Sequence, residues 1–115
     1  MCLKRGSENL VANLEVASSL WARTRGLLGR THLAQDHALW ILRCNSVHTF
    51  FMKFPIDLVF LNRKMEVTKI YRGVKPGRLI WPVWRASSVI ELSEGFLLRH
   101  PLQVGEILNV DPALS

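Results

Sequence analysis

Cysteine is nearly missing from this chain. Cys2 and Cys44 are the only two in 115 residues, too few for a disulfide framework. No bridge between them is expected. Long apolar runs are missing as well: the longest, Ala38 to Leu42 and Leu58 to Leu61, are far short of the roughly 20 residues a membrane-spanning helix needs. The N-terminus, MCLKRGSENL, carries charges with no apolar stretch behind them, so no secretory signal is expected and the cytoplasm is the expected location, a trimmed exported domain being the other reading. There is no internal repeat and no low-complexity tract. The CxxC, HExxH and glycine-rich phosphate patterns are absent, and His32, His37, His48 and His100 are scattered, so neither a metal nor another cofactor is expected. No serine sits in a nucleophile-elbow setting, which weighs against an enzyme.

What is present is a globular composition, 49% apolar and 21% charged, sufficient for one core without metal or disulfide staples. The expected unit is one domain over 1–115, with a core over about 10–111 and frayed termini. The net charge of +6 is unevenly placed. Arg63, Lys64, Lys69, Arg72, Lys75, Arg78 and Arg85 face one acid, Glu66, within a single ribbon, and elsewhere acids and bases balance. Such a ribbon points to an anionic partner, and Tyr71, Trp81 and Trp84 interleave it as stacking residues do in single-strand binders. The reading preferred from sequence is that Trp81 and Trp84 are buried, covering one end of a barrel. Any nucleic-acid binding would then be weak and non-specific; an acidic protein or an anionic membrane surface are further partners for the ribbon.

Along the chain, Leu10–Val16 reads as a first strand. Ser18 and Ser19 offer N-cap hydroxyls to a short helix in which Leu20, Trp21, Thr24, Leu27 and Leu28 recur at helical spacing, ended by Gly29. Strand signals follow over 38–43, 47–51, 56–62, 65–71, 87–92 and 106–110, with 73–82 as a long exposed loop. Six or seven short strands and one N-terminal helix predict a mostly β fold, a small curved or closed antiparallel barrel-like sheet.

The runs ARTRGLLGR (22–30), CNSVHTFFMKFPIDLVFLN (44–62), VIELSEG (89–95) and VGEIL (104–108), in this order, resemble the domain-of-unknown-function 192 family. The resemblance covers about Leu14 to Val110 and implies a compact β-rich domain of bacterial or archaeal origin with no established activity. The family's recurring positions fall on Arg23, Gly26, Leu27, Gly29, Arg30, Met52, Pro55, Asp57, Glu91, Gly95 and Gly105. Many members carry a tryptophan before the central methionine where this chain has Phe51, and many begin with a signal peptide.

The residues themselves single out Asp57, a carboxylate in a strand apolar on both faces, where burial is costly without partners. Arg23 and Arg30 are its natural partners, either as an internal lock or as part of a site. Cys44 and His48, four apart, would lie about 13 Å from each other on a strand, so a dyad requires a turn at Asn45–Ser46; His48 is better read as lining a pocket. The expected function is a small binding or accessory module. Its cleft, formed by Arg23, Arg30, His48, Met52, Asp57 and Glu91, would take a small polar or anionic ligand or a partner segment. The alternative is a hydrolase or transferase using Asp57 with His48 or Glu91 as acid and base.

Overall fold

The computed structural model describes residues 1–19 and 26–112. They form the strands β1 (Cys2–Arg5), β2 (Glu8–Val11), β3 (Asn13–Ala17), β4 (His37–Leu42), β5 (Val47–His48), β6 (Ile56–Leu61), β7 (Val67–Val74), β8 (Leu79–Ile80), β9 (Ser88–Ser93) and β10 (Asn109–Asp111), and one helix, α1 (Phe96–Arg99). The fold is mostly β, as the strand signals predict.

Every residue of β6 and β9 is buried. A strand buried on both faces lies inside a sheet covered on both sides, and that is where these two lie. The five-stranded sheet runs β3-β4-β9-β6-β7, antiparallel except for the parallel β3–β4 pair. One face packs Val59, Leu61, Ile90 and Leu92 against Leu3, Leu10, Phe96 and Leu97, carried by α1 and the three-stranded sheet β10-β1-β2. The other face packs Leu39, Ile41, Leu58, Phe60 and Val89 against Leu27, Val47, Met52 and Ile80, from the 26–33 segment, the β5–β8 pair and the turn after β5.

The expected barrel is not formed: there are three sheets and none closes. The physical reason is the two-sided burial of β6 and β9, which makes the large sheet a middle layer between two covers. The N-terminus is no frayed end either, because β1 pairs with both β10 and β2 and Leu3 is fully buried. The 73–82 loop is shorter than expected, since β7 continues to Val74 and β8 interrupts the rest. The expected N-terminal helix falls largely on Leu20–Arg25, outside the described residues; Gly26–Gly29 form a turn. Parallel β3 and β4 require a long crossover, and residues 18–36 supply it.

Candidate functional site

Glu91 occupies the middle of the large sheet. In the ladder it lies opposite Leu39 of β4 and Leu58 of β6, so its side chain rises from an apolar face flanked by Val89. It is 3% exposed, and its Oε2 has no hydrogen-bond partner among the described residues. Burial pushes its pKa up to about 7, against the opposing pull of the Arg30 charge. Near neutrality such a carboxyl both donates and accepts.

Glu91 forms one wall of a cavity of about 210 Å³ that Gly26, Ile41, Cys44, His48 and Met52 also line. Gly26 permits the approach: at φ +52, a methyl there would stand 3.4 Å from Glu91 Oε1. The chain bends at Asn45, bringing Cys44 and His48 to the same cavity. The Cys44 thiol donates to the Ser46 carbonyl at 2.9 Å. His48 is exposed and stacks on Phe50 at 5.2 Å, placing an imidazole at the cavity mouth. Cys2 and Cys44 are not joined by a disulfide.

Of the six residues proposed from sequence to share a cleft, His48, Met52 and Glu91 come together. Arg23 lies outside the described residues. Arg30 pairs instead with Glu15, through hydrogen bonds of 3.3 and 3.0 Å, which hold the Glu15 carboxyl below its ordinary value against a smaller desolvation effect. Asp57 belongs to the other face of the sheet. Its register partner in β9 is Leu92, and the neighbouring Leu58 shares its own face with Glu91.

Asp57 is a lock, made with backbone amides. Between Ile56 and Leu58 the β6–β7 pairing shifts, because β7 carries one extra residue there. Gly73, at φ +59, turns its N–H out of the ladder, and Asp57 Oδ1 accepts it at 2.8 Å. Asp57 Oδ2 accepts the Leu97 N–H of α1 at 2.9 Å. The carboxylate, 1% exposed, thus ties β6, β7 and α1 together. With the sheet between them, Asp57 and Glu91 cannot act on one substrate, and the acid–base scheme built on Asp57 loses its geometry.

Thr49 went unmarked in the sequence. It is fully buried, its Oγ1 donates to the Lys75 carbonyl at 2.7 Å and accepts from the Arg78 N–H at 2.8 Å. A threonine among phenylalanines gives no sign of such a clamp.

The basic ribbon divides in space. Arg63 and Lys64, at the β6–β7 turn, meet Arg85 around one shallow depression, whereas Lys75 and Arg78 lie beyond the far end of β7, a strand about 25 Å long. Lys69 rests over the Tyr71 ring, 5.5 Å from its centre, and Arg72 is exposed. Trp81 and Trp84, expected to be buried, are 76% and 84% exposed. No barrel end exists for them to cover, and Val83 and Ala86 do the packing on the core beside them. The Ala86 N–H donates to the Val83 carbonyl at 3.1 Å, leaving Trp84 and Arg85 at the tip of that turn. Among the described residues no cluster of three His, Cys, Asp or Glu side chains could hold a metal, and no helix is long and apolar enough to cross a membrane.

The family model for DUF192, described as an uncharacterised ACR, matches residues 1–110. The chain belongs to this family. No protein of curated function is similar enough to match it. A protein of unknown function from Novosphingobium aromaticivorans DSM 12444 has a similar structure, with a TM-score of 0.82 at 20% identity over 95% of this chain and 82% of that one. A protein from Sinorhizobium meliloti 1021, described as a proposed transcription regulator, is similar with a TM-score of 0.73 at 22% identity, over 84% of this chain and 79% of that one. At such identities the likeness concerns the fold alone.

Proposed function

We propose that this DUF192 chain is a binding module whose cavity beside Glu91 takes a small, mostly apolar ligand bearing one hydrogen-bonding group. The observation that carries this reading is the buried Glu91 carboxyl, one oxygen of which has no partner among the described residues, at the wall of a cavity. A buried polar group without a partner costs free energy, and a ligand that satisfies it recovers that cost. The size supports a molecule of about one ring, since about 150 Å³ already holds benzene and drug-sized sites begin near 300 Å³. The polarity favours an alcohol, amide or amine over the anion considered from sequence, because the charge-bearing group among the described lining residues is a carboxyl. His48 at the mouth offers a second polar contact.

The description of the Sinorhizobium protein as a proposed regulator does not favour duplex reading here. The described helix, α1, is a single turn, too short to lie in a major groove as recognition helices do.

A thermal-shift screen of single-ring and short-chain alcohols, amides and amines tests the proposal on the wild type and on Glu91→Leu. Stabilising fragments should lose their effect in the variant. Fragments that stabilise both proteins equally, or a screen without any stabilising fragment, would overturn the reading.

A further inference from the structure

The face carrying Arg63, Lys64, Arg85 and Trp84 lies outside the Glu91 cavity. Two adjoining depressions, of about 540 and 330 Å³, share Arg63, Ala86 and Ser87. Together they make a concave trough. Arg63, Lys64 and Arg85 are exposed along it, and none of them forms an ion pair among the described residues. The acid beside them, Glu66, is engaged by the Asn62 side-chain amide at 3.3 Å. Arg43 borders the second depression with its guanidinium donating to the Ser18 carbonyl, so the other three cations are the ones offered to a ligand. Trp84 stands next to Arg85 at the turn tip, and Trp81 follows three residues back on the segment that leads from this trough to Arg78.

We infer that this trough binds single-stranded nucleic acid, with Arg63, Lys64 and Arg85 on phosphates and bases stacked on Trp84 and Trp81. The charge complementarity calls for a polyanion, and the two exposed indoles of the adjoining 81–85 segment call for flat apolar groups carried by the same molecule. A single strand has both, and its unpaired bases are free to stack. The sequence-based expectation of weak, non-specific binding rested on buried tryptophans; their exposure removes its premise.

The test is fluorescence anisotropy of a labelled oligothymidylate of about 12 nucleotides, within the range of known single-strand site sizes, titrated with the full chain. Three phosphate contacts predict a slope of log K against log salt of about −2, and Arg63→Ala or Arg85→Ala should each reduce its magnitude by about 0.7. Trp84→Ala should weaken binding roughly five- to hundredfold at constant salt, the range expected for one lost stacking contact, with an unchanged circular dichroism spectrum. Glu91→Leu should leave the titration unaltered, which separates this inference from the cavity reading. An absence of binding at low salt would overturn it. So would binding indifferent to Trp84→Ala, displacement of the oligonucleotide by poly-glutamate at equal charge, or binding to anionic phosphatidylserine vesicles with none to the oligonucleotide.

Discussion

Two buried carboxyls on opposite faces of one sheet obey the same physics with opposite results. Asp57 accepts two backbone N–H groups, one on each oxygen, so its burial is matched by partners. Asp57→Asn would set an NH₂ group against one of those donors, and the expected loss is about 3 kcal/mol by denaturant unfolding, in line with hydrogen bonds to charged groups. Glu91 Oε2 has no donor among the described residues, and burial raises its folded pKa to about 7 from the ordinary value of 4.5. Between those values the native state binds a proton that the unfolded chain has released, so stability falls as pH rises from about 4.5 to about 7 and levels off above. The whole fall corresponds to about 3 kcal/mol. Glu91→Gln should remove this component, so the wild-type-minus-variant stability difference, measured from pH 4 to 8, should drift downward through that window. A flat difference would show that the carboxyl is not desolvated as described.

Between elements, the connections depend on side chains that reach across to backbone. The β7–β8 connection is held by Thr49 from a segment 26 residues earlier, with the Thr49 carbonyl also accepting the Gly77 N–H at 2.9 Å. Thr49→Val keeps the shape and removes the side-chain bonds, leaving the Lys75 carbonyl and Arg78 N–H without their Oγ1 partner. The expected cost is about 2 kcal/mol, together with faster trypsin cleavage after Arg78 as the loop opens. At the β6–β7 bulge, Gly73 is required by its backbone. Its φ of +59 disfavours any side chain, while a methyl would make an ordinary 3.4 Å contact with Glu94 Oε2. Gly73→Ala should cost about 1–2 kcal/mol, a loss readable in the same unfolding experiment.

At the scale of the molecule, β6 and β9 belong to both cores, so neither core can be lost while the other persists. Leu58→Ala, on the cavity side, and Leu92→Ala, on the side of α1, should each cost about 2–5 kcal/mol. Both should shift one and the same transition, detected identically by fluorescence and circular dichroism. Separate transitions for the two variants would mean that the covers fold independently of the sheet.

Much of this arrangement is determined by residue pattern. IDLVFL is mostly apolar on both faces, which already argues against an edge strand, and the strand signals at 38–43, 56–62 and 87–92 coincide with the central ladder because local β propensity and burial agree there. Family membership was legible too, from four short runs in order. His48, Met52 and Glu91 could be singled out one by one from residue type and from the resemblance. Their meeting could not, because alternation along a strand says which residues share a face and leaves open what lies across from them. Only the register of β9 between β4 and β6 sets Glu91 between Leu39 and Leu58 and sends Asp57 to the other core. The closed barrel failed for a related reason: closure is decided by whether edge strands meet, a long-range pairing with no local signal. Trp81 and Trp84 were misread on the same ground, since hydrophobic character predicts a wish for burial, and the tertiary structure alone decides whether any core is within reach.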